Sequence, residues 1–283
     1  MTNKEVQIKK AEELLKLHHD SQILLLPNAW DVISAKMYEQ YGFEAIGTTS
    51  AGISATLGYP DGQYMSLEEN LSIVKKIADN TQLPVSADIE AGYSTRVEGV
   101  IRAAKSALDA GAVGINLEDS TGDDTKPFFE ISEQVEKIKA IRDMVHSEKI
   151  HLVLNLRIDV YMLGKGSHKE KFAETILRAN IYSDAGADSI FVPDTGDFNE
   201  KIISELVKEI HAPLNIIAGP NIPPVQKLEE IGVARLSFGP RPMRAMLSLL
   251  CKIQTELLEK GTYELMSDER ITYKEINRLL ERK

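Results

Sequence analysis

The stretch from Pro84 to Ser94 reads PVSADIEAGYS, and it places two carboxylates directly behind a short apolar run. The run has the length of a buried strand, Gly92 turns the chain, and a helical pattern begins at Val97. Side chains two residues apart on a strand share a face, so Asp88 and Glu90 are predicted to lie close together. In folds that alternate strands with helices, the carboxyl ends of the strands carry the chemistry. The stretch therefore predicts a site at that edge.

The rest of the chain repeats this unit of strand, turn and helix. Eight apolar runs alternate with eight helical patterns, and the runs cover residues 23–26, 45–48, 84–88, 114–117, 151–156, 189–192, 214–217 and 234–238. That count predicts an α/β protein, a (β/α)8 TIM barrel. No linker or low-complexity segment interrupts the pattern, so residues 1–283 are interpreted as one domain with a C-terminal helical extension. The helix predicted over residues 245–258 has apolar residues for a partner subunit as well as for its own barrel.

Composition and charge exclude several classes of function. The formal net charge of −10 argues against broad binding of nucleic acid or of anionic membranes. No apolar run approaches the roughly 18 residues that a membrane span needs. The N-terminal residues are amphipathic and charged, without the apolar segment of a signal peptide, which predicts a cytoplasmic protein. The single cysteine, Cys251, cannot form an internal disulfide, and we expect it to be buried in helix packing.

A second pair of acids, Glu118 and Asp119, ends the apolar run that follows the Pro84 strand. Like charges that lie close together repel unless a cation or a proton lies between them. Carboxylate oxygens favour a hard divalent ion, so the two acid pairs predict a site for Mg²⁺. The alternative is that these acids cap helices or face solvent.

Further polar groups are expected at the same mouth of the barrel. A small-residue loop after the second strand offers backbone N–H groups to an anion, with Thr49, Ser50 and Ala51 as candidate substrate-binding residues. Arg157 ends the fifth strand, where a guanidinium grips a carboxylate or neutralises charge that builds on oxygen. Arg157 is alternatively a structural ion-pair partner of Asp159 or Glu118.

Three more polar residues lie at the strand ends or in the loops that follow them. Asp61 either orients the waters of a metal or shapes a turn, and Asp194 follows the sixth strand at the same mouth. The polar segment 120–127 has the length of a lid, in which Lys126 either reaches the substrate or is simply solvated. No catalytic histidine is predicted, and the histidines expected at the surface are His18, His19, His146 and His168.

The sequence resembles the isocitrate lyase and phosphoenolpyruvate mutase superfamily over nearly its whole length. The resemblance rests on LGYPD (57–61), ADIEAGY (87–93), LEDS (117–120), NLRID (155–159) and AGADSIFVP (185–193). It implies a (β/α)8 barrel whose C-terminal helix is swapped between subunits of a homodimer or homotetramer. It also implies that Mg²⁺ is held, largely through waters, by Asp88, Glu90 and Glu118. A small-molecule 2-oxo acid would be bound by Thr49, Ser50, Ala51 and Arg157.

Two departures from the superfamily pattern narrow the implied chemistry. The segment 120–127 reads STGDDTKP and lacks the cysteine of isocitrate and methylisocitrate lyases, and the sixth strand ends in VPD instead of the histidine of phosphonate mutases. We therefore expect a Mg²⁺-dependent lyase that cleaves a C–C bond in a small 2-oxo acid through an enolate-like pyruvate. Its candidate catalytic residues are Arg157, Glu118 and Asp61. The alternatives are a phosphonomutase-type enzyme that acts on a P–C bond and a non-catalytic 2-oxo-acid binder.

Overall fold

The computed structural model describes residues 2–193, 196–267 and 271–281. Within them, parallel strand segments form one sheet. Their bounds are β1 (Leu24–Leu26), β2 (Asn28–Ala29), β3 (Ile46–Thr48), β4 (Val85–Asp88), β5 (Gly114–Glu118), β6 (Val153–Arg157), β7 (Ser189–Phe191), β8 (Leu214–Ile217) and β9 (Arg235–Ser237). The order across the sheet is β1-β9-β8-β7-β6-β5-β4-β3-β2, so neighbours along the chain are neighbours in the sheet.

The two outermost segments, β1 and β2, are halves of one barrel strand that Pro27 interrupts. The first half pairs with β9 and the second half pairs with β3, so together they close the sheet into a barrel. Proline has no N–H to donate, which explains why the strand is broken at this residue. The Pro27 carbonyl still accepts a hydrogen bond from the N–H of Gly47 at 2.9 Å. The predicted (β/α)8 architecture is confirmed, with the first predicted strand split in two.

Helices surround the barrel on its outside. They are α1 (Asn3–Leu17), α2 (Val32–Gln40), α3 (Ser50–Leu57), α4 (Leu67–Asn80), α5 (Val97–Asp109), α6 (Ile131–Glu148), α7 (Val160–Leu163), α8 (His168–Ala185), α9 (Glu200–Glu209), α10 (Val225–Ile231), α11 (Arg241–Lys260), α12 (Glu264–Ser267) and α13 (Tyr273–Leu280). A capping box fixes where α4 begins, since the Ser66 side chain accepts a hydrogen bond from the Glu69 N–H.

Helix α1 covers the amino-terminal end of the barrel, and this corrects one prediction. His18 was expected at the surface, but it is only 1% exposed. Its Nδ1 lies 2.7 Å from the Leu14 carbonyl, and its Nε2 lies 3.4 Å from the guanidinium of Arg235 inside the barrel. Burial, together with the charge of Arg235, lowers the pKa of His18 to about 4. The imidazole is therefore a neutral part of the core.

Helix α11 projects its apolar side chains into solvent instead of packing against the barrel. Leu258 is 89% exposed, and Met246, Leu247, Leu249 and Leu250 are exposed as well. Cys251 lies in the middle of this helix and is also exposed, so the expectation that it is buried was wrong for the single subunit. No helix among the described residues has the length and apolar character to cross a membrane.

Candidate active site

A cavity of about 230 Å³ lies at the carboxyl ends of the strands. Most of the predicted site residues line it, namely Thr49, Ser50, Ala51, Asp61, Asp88 and Arg157. The acids Glu90 and Glu118 lie beside the cavity without lining it. Barrel enzymes place their chemistry at this end, because loops from separate strands meet there.

Asp88 is the acid most directly presented to the cavity, and the neighbouring strand fixes its position. Its Oδ2 accepts hydrogen bonds from the N–H and the hydroxyl of Ser50, at 3.0 and 2.8 Å. Its own N–H donates to the Thr48 hydroxyl at 2.9 Å. The small-residue loop predicted to bind an anion therefore holds the Asp88 carboxylate through Ser50. The next N–H along, that of Ala51, is near the start of α3 and has no partner within the helix.

Glu90 follows the strand in an unusual backbone conformation. Its φ is +51°, and Tyr93 and Gln63 nearby have φ values of +54° and +61°. Such angles are uncommon for residues other than glycine. The Tyr93 hydroxyl donates to the Glu90 carboxylate at 3.0 Å, and the Tyr93 N–H donates to the Gln63 side chain at 2.9 Å. Three residues with a left-handed backbone conformation are thus linked by hydrogen bonds beside Asp88.

The electrostatic environment of Glu90 is unfavourable to a negative charge. Burial raises its pKa to about 8, and the charges of Asp88 and Glu118 contribute to the same shift. Because each neighbouring carboxylate acts on Glu90, the three acids are close enough to interact. The backbone supports this arrangement, since the Glu118 N–H donates to the Glu90 carbonyl at 2.9 Å. The acids from the two strand ends therefore do cluster, as the sequence predicts.

Glu118 and Arg157 form an ion pair across neighbouring strands. They are partners in the register of β5 and β6, and their side chains meet at 3.0 Å. The guanidinium also donates to Asp159 at 2.7 Å and lies 5.9 Å from the ring centre of Phe191. Burial raises the pKa of Glu118 to about 7, although the charge of Arg157 acts in the opposite direction. Arg157 thus has both structural partners considered from the sequence and still lines the cavity.

Asp119 belongs to the scaffold and does not reach the cavity. It is fully buried, and it accepts hydrogen bonds from the Asp159 N–H, the Arg178 guanidinium and the Tyr182 hydroxyl, at 3.0, 3.1 and 3.3 Å. Successive residues of a strand point to opposite sides. The expectation that Asp119 joins Glu118 at the mouth was therefore wrong.

Asp61 lies at the exposed rim of the cavity. Partial burial, together with the charge of Asp88, raises its pKa. Lys126 lies away from the cavity, with its amine 3.7 Å from Glu130 and 3.5 Å from Glu133. The predicted lid is an ordered loop, closed by a bridge between Ser120 and Phe128, and none of its residues lines the cavity. Asp194 lies outside the described residues.

Several residues that line the cavity were missed in the sequence, above all Asn28, Asn116, Arg241 and Arg244. The Asn28 side chain accepts from the N–H groups of Phe238 and Gly239, at 2.9 and 2.8 Å, and ties the first strand to the turn after the last one. In the sequence, Asn28 directly follows Pro27. A polar amide at a strand broken by proline is the feature that could have identified this bridging role. The two arginines begin α11, and the sequence does not show which side chains at the start of this helix line the cavity.

The carboxyl ends of the strands bring clustered acids and an arginine together around one cavity, which is the arrangement of a barrel enzyme's active site. A family model described as phosphoenolpyruvate phosphomutase matches residues 14–258. The chain therefore belongs to this family, within the isocitrate lyase and phosphoenolpyruvate mutase superfamily. The resemblance read from the sequence motifs is confirmed.

Individual relatives agree with this assignment. Uncharacterized protein Rv1998c of Mycobacterium tuberculosis (strain ATCC 25618 / H37Rv) is 38% identical over 231 residues, which is 82% of this chain and 83% of the relative. The 2-methylisocitrate lyase of Aeropyrum pernix is 26% identical over 273 residues, which is 94% of this chain and 86% of the relative. A solved phosphonopyruvate hydrolase, in complex with oxalate and Mg²⁺, has a TM-score of 0.83 at 24% identity, covering 95% of this chain and 94% of that one. The last comparison supports the fold.

Proposed function

We propose that the protein is a Mg²⁺-dependent lyase that cleaves a C–C bond in a small 2-oxo acid through an enolate-like pyruvate. The observation that carries this proposal is the convergence of Asp88, Glu90 and Glu118 beside a cavity that also contains Arg157. A relative that is a 2-methylisocitrate lyase supports C–C bond cleavage as the reaction class.

The donor set fits a metal that is bound mostly through water. In residues 2–193, 196–267 and 271–281, no group of three or more histidine, cysteine or acidic side chains is arranged to hold an ion directly. Mg²⁺ usually keeps several waters and takes only one or two carboxylates. Asp88 lines the cavity and would be the direct ligand, while Glu90 and Glu118 would hold waters. Bound there, Mg²⁺ would polarise the 2-oxo group and stabilise negative charge on its oxygen.

The remaining residues would bind and orient the acid. At the start of α3 the Ala51 N–H has no partner within the helix, and we assign the substrate carboxylate to Thr49, Ser50 and Ala51. Arg157 would stabilise the negative charge that develops on oxygen, because its guanidinium is held rigidly by Glu118 and Asp159. Asp61 would orient water at the rim.

Substrate closure and assembly complete the proposal. We propose that residues 120–127 close over the cavity and bring Lys126 to the substrate.

The exposed apolar side chains of α11 support a swapped C-terminal helix in a homodimer or homotetramer, because such a surface normally has a partner. The interpretation of residues 1–283 as one domain is part of this proposal. A cytoplasmic location, without nucleic-acid or membrane binding, remains a prediction from charge and composition.

The test is oxalate binding by calorimetry with and without Mg²⁺, together with pyruvate formation from a panel of 2-oxo acids. We expect Mg²⁺-dependent binding and turnover in the natural protein, and loss of both in Asp88→Ala. Asp79→Ala, which removes an exposed carboxylate on α4, is the control. Unchanged oxalate binding in Asp88→Ala would remove the metal assignment. Tight oxalate binding with no turnover across the panel would identify a non-catalytic binder.

A phosphonomutase-type reaction on a P–C bond is the second candidate. It is favoured by the match of residues 14–258 to the phosphoenolpyruvate phosphomutase family model. Phosphorus NMR of phosphonopyruvate incubated with the protein and Mg²⁺ separates the two candidates. Conversion of the phosphonate signal would favour this second reaction over the first.

A further inference from the structure

Two arginines at the start of α11 line the same cavity as Asp88. Other arginines near the site have acidic partners, as Arg157 does with Glu118 and Arg178 does with Asp119. In the part of the chain that the structure describes, no salt bridge or side-chain hydrogen bond engages the guanidinium of Arg241 or Arg244. Two unpaired cations therefore face one cavity in a chain whose net charge is −10.

The arginines are held over the mouth by the packing of their own helix. They are three residues apart, so they lie on the same face of α11. Met243, between them in sequence, packs against the buried cluster that contains Trp30 and Ile53. This contact anchors the first turn of the helix, while the two guanidiniums remain on the cavity side.

Gly219 leaves room for one of these guanidiniums. A Cβ atom at this position would lie 3.1 Å from a terminal nitrogen of Arg241, which is tighter than an ordinary contact. A Cβ alone would require the guanidinium to shift by a few tenths of an ångström, and a larger side chain would displace it further. The loop after β8 and the start of α11 are thus fitted to each other around the Arg241 side chain.

The backbone of the turn before α11 is not available for an anion. The N–H groups of Phe238 and Gly239 both donate to the Asn28 side chain, and Pro240 has no N–H. Many barrels bind phosphate through backbone groups near this strand. Here the guanidiniums are the groups that remain, and arginine matches the two oxygens of a planar carboxylate especially well.

We propose that Arg241 and Arg244 bind a second carboxylate of the substrate, so that the natural substrate is a short dicarboxylate. This inference rests on the proposed function, in which the 2-oxo acid group occupies the Asp88 end of the cavity. Asp88 and the two arginines border one cavity of about 230 Å³, which is smaller than typical drug-sized sites and suits a compact acid. The acidic end receives the metal, and the basic end receives the distal carboxylate.

The test compares acids of equal length by calorimetry in the presence of Mg²⁺. Oxaloacetate is compared with 2-oxobutyrate, 2-oxoglutarate is compared with 2-oxovalerate, and oxalate reports on the metal end alone. We expect the natural protein to bind one of the dicarboxylates at least tenfold more tightly than its monocarboxylate counterpart, about the effect of 1.4 kcal/mol. Arg241→Ala and Arg244→Ala should each remove most of that preference and leave oxalate affinity within about twofold.

Two further variants sharpen the test. Gly219→Val, which adds more than the Cβ that already comes close to Arg241, should weaken dicarboxylate binding without affecting oxalate. Arg102→Ala, which removes an exposed arginine from α5, is the control and should change nothing.

The outcomes separate this inference from the proposed function. If oxalate binds but the arginine variants keep the dicarboxylate preference, or lose oxalate and dicarboxylate affinity equally, the second subsite is wrong and the proposed function stands. If oxalate fails to bind while a dicarboxylate binds in an arginine-dependent way, the subsite stands and the metal end is wrong. If no acid binds, both are overturned. An arginine-dependent preference for phosphonopyruvate over both dicarboxylates would overturn the assignment to a carboxylate.

Discussion

Replacing Glu90 with glutamine should stabilise the metal-free protein, and the gain should grow as the pH rises. Burial, together with the charges of Asp88 and Glu118, raises the pKa of the folded-state carboxyl to about 8, from an ordinary value of 4.5. Between these two values the folded protein keeps a proton that the unfolded chain has lost. Stability therefore falls as the pH rises through this window, and it levels off above the folded-state pKa.

The magnitude follows from the size of the window. Each unit of pKa difference corresponds to about 1.4 kcal/mol, so the penalty reaches on the order of 4 kcal/mol near pH 8. The carboxylate is only 4% exposed, so solvent screening does little to reduce it. A glutamine at position 90 cannot ionise, and its amide oxygen still accepts the hydrogen bond from the Tyr93 hydroxyl. The variant should therefore lack this contribution to the pH dependence.

The assay is urea unfolding in the presence of a chelator, at about pH 5.5 and at about pH 7.5. The gap in unfolding free energy between Glu90→Gln and the natural protein should widen by about 2 kcal/mol or more between these conditions. Glu98→Gln, which removes an exposed carboxylate from α5, is the matched control and should show no such widening. Parallel pH profiles for Glu90→Gln and the natural protein would refute the assigned electrostatics.

Three other changes test the scaffold, the chemistry and the assembly. Arg178→Ala leaves the fully buried Asp119 without its ion-pair partner and should cost about 3–5 kcal/mol in denaturant unfolding, with oxalate affinity unchanged. Arg157→Lys keeps the positive charge but loses the guanidinium that pairs with Glu118. We expect kcat/KM, measured by pyruvate formation, to fall by about 100-fold. Leu258→Glu places a charge on the exposed face of α11 and should reduce the mass seen by sedimentation velocity, while an unchanged mass argues against the swapped helix.

Strand periodicity predicted the fold well, because it depends on local patterns that the sequence displays directly. The acids also converge as predicted, but Glu90 does not face the cavity beside Asp88. Strand β4 ends at Asp88, and Glu90 lies beyond it with a φ of +51°, so the alternation of strand side chains no longer applies. The strand pattern correctly placed the acids at the carboxyl end of the barrel. The alternation of side chains did not apply to Glu90, because this residue lies beyond the last residue of the strand.

The other errors concern contacts between segments that are distant in sequence. His18 became buried because α1 covers the end of the barrel, where Arg235 faces it. Cys251 became exposed because α11 leaves the barrel surface. The role proposed for Arg241 and Arg244 was not predicted, since it depends on which side chains of α11 face the cavity. Such placements follow from tertiary packing, which local composition does not encode.

The contrast between two groups of buried acids supports the proposal that the cavity, and not the neighbouring scaffold, is the site of function. Asp119 has an arginine, a tyrosine and a backbone N–H as partners, and these oppose the rise in its pKa that burial causes. Glu90 has a raised pKa and a left-handed backbone, and Tyr93 and Gln63 beside it share that backbone conformation. The fourth such residue, Lys149, simply ends α6, where this conformation is common. Strain of this kind costs about 1–3 kcal/mol per residue and persists where the surrounding structure enforces it. Folding alone gives no reason to concentrate strain and mutually repelling carboxyl groups beside one cavity, whereas the proposed cation site does.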